Sequence, residues 1–118
     1  MIGMESILVS IKKLLGIAAE YTHFDMDIIL HVNSVFAILA QAGVGPAEGF
    51  SIMDESAVWD DFIPSDNRQF LMVKTYVFMK VKIVFDPPTN SSHLQALKEA
   101  ISEYEWRLNV AADSNSEG

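Results

Sequence analysis

Two groups of residues in this chain have the types and spacing that chemistry requires, and the first suggests a metal site. Asp27 and His31 lie four residues apart, so a helix would place them on one face, and His23 and Asp25 come just before them. Imidazole and carboxylate groups bind zinc when the fold supplies a further ligand. The same residues also fit an acidic helix start followed by a polar stripe. We favour this second interpretation and predict no metal and no cofactor.

The second group consists of two carboxylate pairs, Asp54-Glu55 and Asp60-Asp61, which are residue types used in general acid-base catalysis. Catalysis of this kind needs a carboxylate desolvated in a cleft. These pairs lie instead in a segment, 46–66, that has six acidic and no basic residues and is expected to be solvated. The sequence also contains no glycine-rich phosphate loop and no nucleophile elbow. We therefore predict that the protein is not an enzyme.

Length and composition favour a single domain. The 118 residues can bury one core without metals or disulfides, and the chain has no cysteine. Its net charge of −8 would repel a phosphate backbone, which argues against dedicated nucleic-acid binding. We expect a domain over 1–112, a disordered acidic tail over 113–118, no signal peptide and no membrane span.

Helical periodicity predicts two helices in the first half. The first covers about 5–15, ends at Gly16 and turns its polar side outward; that side consists of Ser6, Ser10, Lys12 and Lys13. The second covers 25–41, with Thr22 or Asp25 as N-cap. It is so apolar that we expect a buried central helix with contacts on most sides.

The acidic segment 46–66 also carries apolar side chains, which predict an ordered loop tethered to the core, with short strands at 50–53 or 58–62. Trp59 in this loop has two interpretations: a lid over the local core, or an interface residue.

The segment 67–85 is ambiguous. Its apolar and polar residues alternate as in a strand, but the run is longer than a usual strand and contains no hairpin residues. It also opens with Asp66 and Gln69, which are spaced as in a helical capping box. It carries four basic and no acidic residues, so it can pair with the acidic segment inside one chain or between neighbouring copies.

A last helix is predicted from Ser92 to Asn109, with Ser92 and Gln95 as a capping box. Trp106 projects from the charged side of this helix, where a lone large aromatic requires a partner. The opposite side is an apolar stripe of Leu94, Leu97, Ile101, Tyr104 and Leu108.

The segments 74–88 and 103–109, with weaker support from 59–62, resemble the head-to-tail connector (adaptor) proteins of long-tailed bacteriophages and prophages. The resemblance implies an all-α domain of about four helices, and it identifies 67–85 as a helix. It further implies a structural protein of the virion neck, assembled in the host cytoplasm. The expected partners are further copies in a ring, dodecameric by resemblance, the portal, a tail-side stopper, and double-stranded DNA passing without specific binding.

In that setting the resemblance suggests two sets of site residues. The interface candidates are Trp106, Arg107, Val110, Trp59, Lys74, Lys80 and Lys82. The channel-lining candidates are Glu48, Asp54, Glu55, Asp60 and Asp61. The alternative is a small intracellular helical interaction or regulatory module that uses the Trp106 face on a host partner.

Overall fold

The computed structural model of the protein describes residues 4–117, and the side chains of residues 4–110. The described chain forms five helices and no strand, which confirms the all-α prediction: α1 (Ile7–Leu14), α2 (Asp25–Gln41), α3 (Trp59–Phe62), α4 (Phe70–Phe85) and α5 (Ser91–Glu117). α2 packs against α1 and α4, and α4 packs against α5. α5 extends to Glu117 and so into the predicted tail 113–118, whose side chains lie outside the described residues.

The polar side predicted for α1 is wrong at Lys12, whose side chain is only 1% exposed. Its ammonium group donates hydrogen bonds to the carbonyl oxygens of Ala19 (2.9 Å) and Tyr21 (2.7 Å) and lies 2.8 Å from Asp25 Oδ1. That carboxylate oxygen makes no well-aligned hydrogen bond, so the contact is an ion pair. Burial is tolerated because two carbonyl acceptors and one carboxylate take the place of the water that a lysine ammonium would otherwise bind.

The end of α1 follows the prediction, because Gly16 adopts a φ of +82° that favours glycine. Ser6 is the N-cap, and its Oγ accepts a hydrogen bond from the Val9 amide at 3.2 Å. Ser10 was expected on the polar side but is buried, and its hydroxyl donates to the Ile7 carbonyl at 2.9 Å.

α2 begins and ends at the predicted residues, but its caps and its burial differ from the prediction. The N-cap is Phe24 and makes no side-chain hydrogen bond, so neither Thr22 nor Asp25 caps the helix. One face is buried in the core, yet the apolar residues Met26, Leu30 and Ile38 are exposed by 77%, 65% and 46%. Their spacing of four and eight residues places them in one stripe. Within the described residues this stripe is therefore exposed, whereas the sequence predicts contacts on most sides of α2.

The connection from α2 to α4 is ordered, but neither of the short strands considered at 50–53 or 58–62 forms. Val58 makes only a single antiparallel bridge to Ser6, and the residues after it form the one-turn helix α3. The Asn33 amide binds both backbone groups of Ile52, accepting from its N–H at 2.7 Å and donating to its carbonyl at 2.9 Å. The Phe62 ring lies directly against the backbone at Gly45, so a Cβ at this position would clash with the ring.

α4 is a helix, as the family resemblance implies, although the alternation of apolar and polar residues indicates a strand. Both predicted capping boxes are wrong. Gln69 is itself the N-cap of α4, without a side-chain hydrogen bond. At α5 the capping oxygen belongs to Asn90, whose Oδ1 accepts from the amides of Ser92 (2.8 Å) and His93 (3.1 Å). Asparagine is a strong N-cap because its short side chain reaches these amides, whereas Gln95 contacts Glu99 instead.

The Lys12 cluster leads to a stability prediction. Lys12→Met keeps the length of the side chain but leaves two carbonyls and the Asp25 carboxylate without their cation. We expect a loss of about 2–3 kcal/mol in the free energy of unfolding, measured by urea denaturation. The exposed neighbour provides the control, since Lys13→Met should change it by about 0.5 kcal/mol or less. Equal effects of the two substitutions would contradict the role of the buried ammonium.

Candidate functional site

The outer face of α5 is the most exposed of the predicted interface regions. Trp106 is 65% exposed and Val110, one turn later, is 44% exposed, whereas Leu108 on the inner face is 2% exposed. Arg107 lies beside them and forms an exposed ion pair with Glu103 at 3.3 Å. The structure therefore places three predicted residues, Trp106, Arg107 and Val110, next to one another on the surface.

Trp59 is fully buried, so of its two interpretations the structure shows the core residue and not a surface contact. Its indole Nε1 donates a hydrogen bond to Ser10 Oγ at 2.9 Å, which satisfies the polar group of the ring. Its ring also stands edge-on to Phe36 and Phe70, with centroids 6.4 and 6.5 Å away. Trp59 thus joins α1, α2 and α4 and has no exposed surface to offer a partner.

The three candidate lysines of α4 are paired within the chain, and none of them pairs with the acidic segment. Lys74 lies 3.5 Å from Glu5, and its ammonium is also 5.7 Å from the centroid of the buried Trp59 ring. The other two ion pairs are Lys80 with Glu105 at 3.7 Å and Lys82 with Asp86 at 3.0 Å. The side chains of these lysines are only 17%, 27% and 28% exposed, and each ion pair has a more exposed acidic partner. Ion pairs of this kind near the surface contribute little to stability.

A contact that the sequence interpretation missed joins α4 to α5. The Tyr76 hydroxyl donates a hydrogen bond to Glu105 Oε2 at 2.7 Å, and this same oxygen faces Lys80. Burial of the phenol is the main cause that raises the pKa of Tyr76 well above its usual range, and the hydrogen bond to the Glu105 carboxylate raises it further. The hydroxyl group therefore remains a donor at any physiological pH. No local pattern connects two residues so far apart in the chain.

All five candidate channel acids are exposed, but they fall into two kinds. Asp54 accepts hydrogen bonds from the side chain and backbone of Ser56, which lower the pKa of its carboxyl group. Asp60 and Asp61 accept from the amides of Ser65 and Val58, both at 3.0 Å, and so hold the turns around α3.

The second kind consists of Glu48 and Glu55. Within residues 4–110, the carboxylates of Glu48 and Glu55 take part in no side-chain hydrogen bond and no ion pair. Their charge is therefore presented to the outside without a visible structural role, unlike that of the three aspartates.

The residues considered for a metal site are not brought together. Asp25 is occupied by Lys12, and the described part of the chain contains no group of three or more histidine and carboxylate side chains that could hold an ion. Over the same residues, no helix is both long enough and apolar enough to cross a membrane.

A family model described as phage connector protein matches residues 7–115, which is nearly the entire chain. No curated protein and no solved structure matches.

The two tryptophans provide a paired stability test of these placements. Trp59→Ala removes a buried ring and leaves a cavity, and should lower the free energy of unfolding by about 3–5 kcal/mol. Trp106→Ala removes an exposed ring and should change it by about 0.5 kcal/mol or less. Chemical denaturation of both variants measures the difference; a strongly destabilising Trp106→Ala would show that this ring packs within the chain.

Proposed function

The chain belongs to the phage connector protein family, and on that premise we propose that it is a ring-forming protein of the phage neck. The ring lies between the portal and the tail-side completion proteins, and double-stranded DNA passes through its channel. The protein acts as a structural part, without catalysis. Phage connector proteins are structural, and the single observation in this chain that carries the proposal is the exposed Trp106 face of α5.

Trp106 has the properties of an interface anchor. Tryptophan combines a large apolar ring with one polar N–H, and it is among the residues that contribute most to protein–protein binding when buried at the centre of an interface. Val110 extends the apolar surface by one turn, and the Glu103–Arg107 pair borders it with polar groups. An apolar centre with a polar rim is the usual anatomy of an interface. We propose that this face binds the portal or the adjacent subunit.

The acidic segment is proposed to face the channel. Its carboxylates are exposed, and those of Glu48 and Glu55 make no bond inside residues 4–110. Because binding to DNA depends on the neutralisation of phosphates by cations, a surface of unpaired acids leaves DNA free to slide. The hydrogen bonds of Asp60 and Asp61 keep the segment ordered, so that its charge has a fixed position.

Assembly tests the proposal. The wild-type protein should form ring-sized particles, alone or with its portal, in native mass spectrometry and negative-stain microscopy. Trp106→Ala should weaken ring formation or portal binding by about 30-fold or more, since an anchor contributes about 2 kcal/mol or more. Leu71→Ala is the matched control, because Leu71 is exposed to the same extent (64%) on a different helix.

Two results would contradict this assignment. Full rings and full portal binding by Trp106→Ala would remove the anchor role. A wild-type protein that stays monomeric and ignores the portal would instead favour the helical regulatory module, which uses the same face on a host protein.

The channel role is tested by removing only the charges that have no structural task. Virions that carry Glu48→Gln with Glu55→Gln should eject DNA more slowly, and the difference should grow at low ionic strength, where charges are less screened. The control is Asp27→Asn with Glu99→Gln, which changes the net charge equally outside the acidic segment. Ejection kinetics measured by DNA release give the answer, and equal rates in the two double variants would contradict a channel position.

A further inference from the structure

An open groove of about 530 Å³ lies away from the Trp106 face, between the α1–α2 connection, the start of α2 and the acidic segment. Its floor is apolar and includes the side chains of Leu8 and Ile29. Two methionines border it and are almost fully exposed, Met26 by 77% and Met53 by 87%. Long apolar side chains in contact with water at the border of a groove are an unsatisfied surface in the isolated chain.

The polar border of this groove is acidic. Glu20, Asp54 and Glu55 line it and are exposed, while the fourth acid, Asp25, is already neutralised by Lys12. No lysine or arginine lines the groove. The rim therefore carries negative charge without a counter-charge among the residues that line the groove.

A second copy of the chain is poorly suited to supply the matching cations. Of its eight lysines and arginines, the described structure pairs five with acids inside the chain. The remaining three, Lys13, Arg68 and Lys98, lie on different elements and form no common basic face.

We propose that the groove binds a basic amphipathic helix of another protein. The apolar side of such a helix would lie on Leu8 and Ile29 between the two methionines, and its lysines or arginines would face Glu20, Asp54 and Glu55. Methionine suits this task because its flexible, polarisable side chain adapts to different apolar partners. An amphipathic helix in an apolar groove is a recurrent mode of recognition, and the acidic rim selects a basic one. The groove does not include the α5 face, so this inference does not depend on the anchor role of Trp106. It does share Asp54 and Glu55 with the acids proposed for the channel, and a helix bound in the groove would take these two acids out of the channel.

The probe is a synthetic amphipathic helix of leucine and lysine, about 18 residues long, or five turns. The protein is labelled at its methionine methyl groups, and binding is followed by nuclear magnetic resonance and by calorimetry. We expect the signals of Met26 and Met53 to shift on addition of the peptide, while those of Met4, exposed outside the groove, and Met79, in the core, stay in place. A peptide of the same composition with a scrambled order has the same charge but no apolar face, and should bind at least about tenfold more weakly.

Matched variants separate groove binding from general attraction to an acidic protein. Met26→Ser with Met53→Ser, and separately Asp54→Asn with Glu55→Gln, should each weaken binding about three- to tenfold. Met4→Ser and Glu99→Gln should leave it unchanged.

Three outcomes would overturn the proposal. The first is equal binding of the scrambled peptide, and the second is equal effects of groove and control variants. The third is a concentration-dependent shift of the Met26 and Met53 signals without peptide, which would assign the groove to a second copy. Because ring formation is measured separately, groove variants that lose the peptide but still assemble would leave the proposed function intact. Loss of rings with retained peptide binding would contradict only the proposed function.

Discussion

The arrangement of the first half of the molecule depends on satisfying one buried charge. The ammonium group of Lys12 is removed from water, and its acceptors come from the α1–α2 connection and from the first residue of α2. A buried cation without such partners would be strongly destabilising, so the connection must keep its carbonyl oxygens pointed inward. That requirement gives an irregular segment a defined path, and this path forms one wall of the acidic, methionine-bordered groove. A constraint inside the core thus determines the shape of a surface.

The acidic segment is held by two further polar contacts of the same kind. The Asn33 amide fixes the backbone at Ile52, and the Trp59 indole is fixed by the hydroxyl of Ser10. In both cases a side chain on a helix forms a hydrogen bond with a buried polar group of the acidic segment. Without this partner, the polar group would have to face water. The apolar side chains of the loop can then stay in the core while its carboxylates remain outside. The protein therefore presents a negative surface that is ordered without any ion pair to the basic helix α4 within the described residues.

Sequence periodicity was sufficient where one face of a helix is buried and the other is wet. It located α2, and it placed Trp106 and Leu108 on opposite faces of α5. It failed for α4, because a helix buried on several sides has no polar stripe. The alternation of apolar and polar residues indicated a strand, and only the family resemblance identified a helix. Periodicity also placed Lys12 and Ser10 on the exposed side of α1, and both are buried. Burial of a polar side chain depends on hydrogen-bond and ion-pair partners, which other segments of the fold can supply. The Tyr76–Glu105 contact and the groove are likewise products of tertiary structure. No pattern within a single segment records which residues of different helices will meet.

The order in which the helices pack has a mechanical consequence. α5 rests chiefly on α4, whereas α1, α2 and α4 meet around Trp59, so α5 is connected to the rest of the molecule mainly through α4. A load applied at the Trp106 face passes to the rest of the molecule mainly through the α4–α5 contact, including the hydrogen bond between Tyr76 and Glu105. A pull on the Trp106 face therefore acts first on the α4–α5 contact, and it reaches the layer around Lys12 only through α4.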